Sequence, residues 1–321
     1  MERVSNDKDN AELIAEYLGY ASDIDLSERT IENYNSCLKI FARVIDKSLM
    51  DVDISDLVYF KRHLEKLRNR YSMSYSPKTI CRYFSALQSF YEFLELKEYI
   101  DKNPMPKFSK IYLKRLRKKT RSNGSSNRKL ISVEEMSMLI NSVMDPRDKA
   151  VIMLLAKTGI RRQECKNIDV DDIDWIEQCI HLKPTPKRTY LKAFFDDECS
   201  RVLKRWMISR ENRKNNGTKA LFFNERGGRL GRNAIYELVV RHATKVGLHN
   251  PNSHRPEDRF TTHCTRHWYC THLRRKPNQM QREHLKKIRG DAPSESVDVY
   301  LHIDDRELRD EYLRCIPQLG V

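Results

Sequence analysis

Apolar residues in the first third of the chain recur at spacings of three and four, the period of a helix that buries one face. One such stripe follows Ser27, a residue suited to cap a helix N-terminus. It consists of Ile31, Tyr34, Leu38, Phe41 and Ile45. A second stripe follows Ser76-Pro77 and consists of Ile80, Phe84, Leu87, Tyr91 and Leu94. With a shorter helix over 53–68, the pattern predicts a helical domain over 10–105, ended by Asn103-Pro104 because a residue before proline avoids helical angles.

The pattern changes after residue 129, where helical periods are interrupted by a strand signal. Ser132 and Glu135 have the spacing of a capping box, which opens a helix. Alternating apolar residues on both sides of a proline-containing turn predict a hairpin. Helices are predicted over 146–157 and 306–319, and strands over 178–182 and 189–195. We therefore expect a mainly α chain with a small β-sheet, of the α+β class.

The length of the chain and the position of its charge predict two domains. The 321 residues suit about two domains. There are 60 lysine and arginine residues against 45 acidic ones, a net charge of +15. Residues 107–129 hold 10 basic residues and no acidic one, and 120–127 is too polar and small to form a core. We predict a helical domain over 10–105, a basic linker over 106–128 and a second domain over 129–321.

The basic linker suits a chain that crosses a phosphate backbone, because each lysine or arginine placed near a phosphate releases counterions. A solvated connector or a nuclear-localisation cluster would have the same composition. The candidate DNA-binding residues are Lys114, Arg115, Arg117, Lys118 and Lys119.

Several classes of protein are disfavoured by the rest of the composition. The mean hydropathy is −0.72, and no apolar run approaches the roughly 18 residues that a membrane span needs. The N-terminus lacks the basic-then-apolar pattern of a signal peptide. The 8 cysteines are scattered, as is typical of reduced thiols in a cytosolic protein. We expect a cytoplasmic protein, in the host cytoplasm if a virus encodes it, with no membrane partner.

Two groups of basic residues could handle a phosphate in the second domain. Gly159 can end a helix in the left-handed conformation and turn Arg161 into a cleft, although a cation beside a helix C-terminus has the same sequence signature. Lys183 and Lys187 lie near the tip of the predicted hairpin, where a lysine can donate a proton, clamp a phosphate or simply be exposed.

A third group lies in the stretch 262–272. His263 and Arg266 are three residues apart, so on a helix both would face the same way. The histidines and cysteines of this stretch also suggest zinc, but they lack the two close pairs of a structural zinc site. We therefore expect no metal.

Four motifs follow one another along the chain: T-G-I-R-x-x-E, a hairpin lysine, H-x-x-R and a tyrosine near the C-terminus. Their order resembles that of the tyrosine recombinase family, of the phage-integrase type. The resemblance covers most of the chain. It implies a helical, SAM-like core-binding domain and a catalytic domain that form a C-shaped clamp on DNA. It also implies that the catalytic residues are Arg161, Lys187, His263, Arg266 and Tyr300. Glu164 would be a structural companion of Arg161.

Two positions need separate treatment. The interval from Arg161 suits Lys183 and Lys187 equally, and the interval back from the helix after the hairpin favours Lys187. The family has histidine or tryptophan nine residues before the nucleophile, where this chain has Asp291. Because an ionised aspartate donates no hydrogen bond, Asp291 either holds an arginine or turns outward. The surrounding Arg-Gly-Asp and Tyr-x-His-Ile-Asp are similar to archaeal integrase relatives, viral ones included.

The resemblance implies a site-specific recombinase that cuts and rejoins double-stranded DNA through a 3′-phosphotyrosine, with no cofactor. It implies a dimer on each core site and a tetramer in the synapse, with a C-terminal helix that docks on a neighbouring protomer. That helix could equally pack within its own chain. The alternatives are a catalytically impaired DNA-binding or architectural protein, suggested by Asp291, and a type IB topoisomerase-like relaxing enzyme.

Overall fold

The structure is a computed structural model that describes residues 9–68, 74–122, 129–185, 188–214, 216–253, 255–291 and 303–321. The chain divides into two compact units, Met1–Ser126 and Asn127–Val321. No helix in the described ranges is both long and apolar enough to cross a membrane.

The first unit is a helical bundle whose apolar stripes face a common core. The Ser27 side chain accepts a hydrogen bond from the backbone N–H of Thr30, which caps the second helix as expected. The rings of Phe41 and Phe60 meet edge to face at 4.8 Å in the core. Its α-helices are α1 (Asn10–Asp23), α2 (Glu28–Ile45), α3 (Ile54–Lys66), α4 (Pro77–Leu96), α5 (Met105–Phe108) and α6 (Lys114–Ser122).

Much of the segment predicted as a linker is helical and belongs to the first unit. A π-helical turn over Ser109–Leu113 joins α5 to α6. Leu113 is buried and Leu116 packs against the core, which holds this basic segment to the bundle. The five candidate DNA-binding residues of α6 are all exposed.

The second unit is mainly helical, with a small sheet between its third and fourth α-helices. Its helices are α7 (Val133–Asn141), α8 (Pro146–Thr158), α9 (Arg162–Asn167), α10 (Asp197–Glu211), α11 (Arg232–Lys245), α12 (Thr262–His272), α13 (Arg282–Arg289) and α14 (Asp305–Cys315). Its strands are β1 (Ile173–Asp174), β2 (Cys179–His181) and β3 (Lys192–Phe194). The expected mainly α fold with a small sheet is therefore confirmed.

The three strands form an antiparallel sheet in the order β1-β2-β3, in which Cys179 pairs with Asp174 on one side and Phe194 on the other. The predicted hairpin is present as β2 and β3, with shorter strands than expected. β1 lies outside the predicted strands, and its two residues pair with β2.

Helix α8 forms the centre of the second unit. Every side chain from residue 150 to residue 158 is buried, so this helix is surrounded by the rest of the unit. It ends at Gly159, whose φ of +59° is left-handed. A Cβ at this position would overlap the ring of Tyr269 on α12, so both the turn and the close packing require glycine.

The C-terminal segment packs against its own chain through a buried ion cluster. The ammonium of Lys157 on α8 lies 2.5 Å from Asp196 and 2.7 Å from Glu198, and it donates to the carbonyl of Pro317 at 2.7 Å. The Glu198 carboxylate in turn accepts hydrogen bonds from the backbone N–H groups of Leu319, Gly320 and Val321. In this structure the tail is therefore docked within the chain, one of the two arrangements that the sequence allowed.

We expect Lys157→Met to destabilise the second unit by about 3–5 kcal/mol, because it leaves two buried carboxylates without their cation. Although burial raises it, the pKa of Glu198 is held below its usual value by Lys157 and the N–H of Leu319. The stabilisation from Glu198 is thus present above the unfolded pKa of about 4.3 and is lost as pH falls through the lowered folded pKa. The deficit of the variant should shrink in acid.

Urea unfolding followed by tryptophan fluorescence measures this effect, because all 3 tryptophans (Trp175, Trp206 and Trp268) lie in the second unit. Lys245→Met, at an exposed site on α11, is the matched control and should change stability by less than about 0.5 kcal/mol. Equal stability of the two variants at neutral pH would contradict the prediction.

Candidate active site

The turn after α8 positions the first predicted catalytic arginine. Arg161 is the residue that precedes α9, and its backbone N–H donates to the Glu164 carboxylate at 2.6 Å. Its guanidinium donates to the other oxygen of Glu164 at 3.0 Å. Glu164 is buried, so this contact fixes both the backbone and the side chain of Arg161. One third of the Arg161 side chain remains exposed.

Arg266 reaches the same place from a different element, α12. It is buried, and it donates to the carbonyl of Gly159 at 2.7 Å and to that of Arg289 at 3.0 Å. Burial lowers the pKa of Arg266, and the guanidinium groups of Arg161 and Arg289 lower it further. A cluster of like charges held this close is a site that favours an anion.

Asp291 supplies an anion to this cluster in the structure. Its Oδ1 lies 3.4 Å from Nη2 of Arg266 and 3.7 Å from Nη2 of Arg161, and its Oδ2 lies 2.9 Å from Nη2 of Arg289. Of the two alternatives left by the sequence, the structure therefore has the aspartate holding arginines. We call Arg161, Arg266, Arg289 and Asp291 the arginine cluster.

Arg188 links the hairpin to this cluster and was not foreseen in this role. Its side chain is fully buried and donates to Glu164 at 3.3 Å and to the carbonyl of Ile288 at 3.1 Å. Burial lowers its pKa, and the contact with Glu164 opposes that effect. A Cβ at Gly290 would overlap this side chain. Arg188 thus ties α9, the hairpin and the end of α13 together.

The structure places the remaining predicted residues as follows. His263 is exposed in the first turn of α12, one turn before Arg266. The ammonium of Lys183 contacts Asp169 and lies 3.8 Å from Asp172. Lys187 and Tyr300 lie outside the described residues. The described residues that flank Tyr300 in sequence are Asp291, a member of the arginine cluster, and Ile303. The carbonyl of Ile303 accepts a hydrogen bond from the ammonium of Lys287 on α13.

Comparison with known proteins identifies the family of the chain. Residues 129–307 match the phage integrase family, and residues 16–101 match the N-terminal SAM-like domain of phage integrases. The chain belongs to the phage integrase family. It is a tyrosine-type site-specific recombinase, as the order of its motifs predicted.

Relatives match nearly the whole chain of this integrase-family protein. The tyrosine recombinase XerC of Oceanobacillus iheyensis is 26% identical over 308 residues, 91% of each chain. The tyrosine recombinase XerD of Staphylococcus epidermidis is 24% identical over 334 residues, 95% of this chain and 99% of the relative.

Solved structures share the fold at low sequence identity. The Tn1549 transposon integrase, solved with circular intermediate DNA, has a TM-score of 0.67 at 17% identity and covers 94% of this chain and 98% of its own. A lambda integrase dimer bound to a COC' core site has a TM-score of 0.65 at 13% identity, with 94% and 95% covered.

Two functional candidates were missed by sequence reasoning, although each had a signal. Arg289 lies two residues before Asp291, an aspartate that was expected either to hold an arginine or to turn outward. Arg188 directly follows the chosen hairpin lysine. Neither signal indicates how deeply the side chain is buried, which depends on the packing of α13 against the hairpin.

One group of possible metal ligands lies away from the arginine cluster in sequence. Asp174, Cys179 and His181 on β1 and β2 bring ligand atoms within 4.8 Å of one another. Asp174 already accepts the backbone N–H groups of Ile176 and Glu177, and burial raises the pKa of Cys179 to about 11, which keeps the thiol protonated. These observations indicate that the three residues stabilise the sheet and its turn instead of binding a metal. Among the described residues, no such group falls in 262–272.

Proposed function

We propose that the arginine cluster binds the scissile phosphate of double-stranded DNA. The observation that carries the proposal is the approach of Arg161 and Arg266, from two different elements, to a single carboxylate oxygen. A position that accommodates an anionic oxygen between two guanidinium groups suits a phosphoryl oxygen, since arginine recognises carboxylate and phosphate by the same forked donors. The transition state of phosphoryl transfer carries charge on those oxygens.

Tyr300 is then the nucleophile. Its oxygen attacks phosphorus, the bond to the 5′-oxygen breaks, and a 3′-phosphotyrosine forms with release of a 5′-hydroxyl. Attack by a 5′-hydroxyl from the partner strand reverses the step, so the phosphodiester is restored without an external energy source. A free tyrosine has a pKa of about 10, so the reaction needs a proton acceptor. His263 is the candidate acceptor or phosphate ligand, and Lys187 the candidate donor to the leaving oxygen.

The basic side chains of α6 have a different role in this proposal. Lys114, Arg115 and Arg117 are exposed on a helix anchored to the first unit, as are Lys118 and Lys119. They would contact phosphates away from the scissile one and hold the DNA in place through salt-sensitive affinity.

The test is a nicked DNA substrate from which the cleaved end diffuses away, so that the covalent intermediate accumulates. We expect a protein–DNA adduct, and peptide mapping after nuclease digestion should place the nucleotide on Tyr300. Either no adduct on a demonstrated binding site, or a nucleotide on another residue, would contradict the proposal.

We further propose that two protomers act on each core site and four in the synapse. Exchange between two duplexes breaks four strands, and each break needs one nucleophile. The lambda integrase dimer on its core site supports this stoichiometry by similarity of fold. Light scattering of the protein on one duplex core site should give the mass of two protomers with the DNA. A mass of one protomer per duplex at saturation would contradict it.

A further inference from the structure

The carboxylate of Asp291 has a divided set of partners. Its Oδ1 faces Arg161 and Arg266, the two arginines assigned to the scissile phosphate, at 3.7 Å and 3.4 Å. Its Oδ2 faces Arg289 alone, at 2.9 Å. The Asp291 carboxylate therefore bridges the guanidinium of Arg289 to those of Arg161 and Arg266. Its contact with Arg289 is the shortest of the three.

The charges around this carboxylate favour a second anion. Glu164 contacts Arg161 and Arg188, and Asp291 contacts Arg161, Arg266 and Arg289. Among the residues that the structure describes, these four guanidinium groups are paired with two carboxylates, which leaves an excess of positive charge in a partly buried region. One further anion, with a charge like that of a phosphodiester, would reduce this excess.

Arg289 has an unused donor that points to the same conclusion. It is the last residue of α13, and its Nε is buried with no hydrogen-bond partner among the described residues. Slightly more than one third of its side chain remains exposed. A buried charged donor without an acceptor is unfavourable, and a site that binds an anion is one setting in which such a donor is retained.

We propose that Arg289 is a third guanidinium ligand of the scissile phosphate, and that Asp291 orients it. This inference rests on the proposed function of the arginine cluster. The family has histidine or tryptophan at the position of Asp291, and both of those side chains can donate a hydrogen bond. The aspartate cannot donate when ionised, so the donor is supplied by Arg289 instead. A phosphoryl oxygen would take the place of Oδ1 between Arg161 and Arg266, and the Asp291 side chain would move aside with Arg289 still bound to Oδ2.

The side chain of Arg289 can be removed without removing the contacts made by its backbone. Arg266 and Arg188 donate to the carbonyl of Arg289, and an alanine retains that carbonyl. We therefore expect Arg289→Ala to fold and to bind DNA. It should form the covalent adduct about 100-fold more slowly than the wild type, the usual order for loss of one transition-state donor. Arg289→Lys should recover part of the rate, because it keeps the charge but not the fork.

The matched control is Arg282→Ala, which removes an exposed arginine from the same helix and should stay within about twofold of the wild-type rate. A second substrate separates a phosphate ligand from a structural role. A methylphosphonate at the scissile position lacks the negative charge, so the deficit of Arg289→Ala should fall to a few-fold on it.

Three results would count against the inference in distinguishable ways. An Arg289→Ala variant as fast as Arg282→Ala would overturn the role of Arg289 and leave the proposed function standing. An equal deficit on the phosphate and methylphosphonate substrates would assign Arg289 a purely structural role and overturn it as well. No adduct with the wild-type protein would overturn the proposed function, and this inference with it.

Discussion

Tyr300→Phe should abolish the covalent protein–DNA adduct and leave DNA binding unchanged. Phenylalanine keeps the ring but lacks the oxygen that would bond to phosphorus, so neither the 3′-phosphotyrosine nor the free 5′-hydroxyl can form. Loss of a catalytic nucleophile costs about 10⁶-fold in rate. The measurement is denaturing electrophoresis of the nicked-DNA reaction, with binding followed in parallel by gel shift.

Tyr59→Phe is the matched control, because Tyr59 is an exposed tyrosine of the first unit. Its adduct should accumulate as in the wild type. A Tyr300→Phe protein that still forms the adduct would assign the nucleophile to another residue. Tyr269 is a poor substitute, although it packs beside the cluster: it is buried, and burial raises its pKa, the opposite of what a nucleophilic phenolate needs.

The helices of both units follow from the sequence because their stabilising contacts are local. Ser27 and Ser132 cap helices at the predicted positions, and Gly159 ends α8 as its sequence context requires. The hairpin strands were also located, since alternation is a local pattern. What the sequence could not determine is how α12 crosses α8, and this crossing brings Arg266 to the carbonyl of Gly159.

The residues in and around the arginine cluster also divide into those predicted from local patterns and those that depend on long-range packing. Arg161, Arg266 and Glu164 were predicted because a family motif fixes their spacing, whereas the chemistry of Asp291 alone left the direction of its side chain open. Its contacts depend on where α13 ends relative to α12, a long-range property. Arg188 and Arg289 were missed for the same reason. A long arginine side chain can reach solvent or a buried carbonyl from one backbone position.

The tail illustrates a choice that is not encoded locally. Apolar residues at helical spacing predicted α14 but did not specify what it packs against. The partners are buried on α8 and α10, where Lys157 offsets the charge of Asp196 and Glu198 and where Tyr312 donates to the carbonyl of Lys157. A segment that forms this many polar contacts within its own chain has to break them before it can bind another protomer.

Arg266→Ala should reduce adduct formation by about 10²–10³-fold, the usual effect of removing one donor to a developing oxyanion. It should also lower the stability of the second unit by about 1–3 kcal/mol, because the carbonyls of Gly159 and Arg289 lose a buried donor. Arg266→Lys keeps a positive charge but cannot fork between the two carbonyls and a phosphate. We expect it to recover only part of the activity.

Arg210→Ala separates the two effects. Arg210 is a buried arginine of α10 that donates to the carbonyls of Thr218 and Ala220, so its backbone contacts resemble those of Arg266. We expect the two alanine variants to lose similar stability in tryptophan-monitored unfolding, while only Arg266→Ala loses adduct formation. An equal loss of adduct in both variants would attribute the effect to stability rather than to phosphate contact. The decisive comparison is the rate of adduct formation by Arg266→Ala and Arg210→Ala at a temperature where both variants are folded. A difference in rate that persists there shows that Arg266 acts on the phosphate itself.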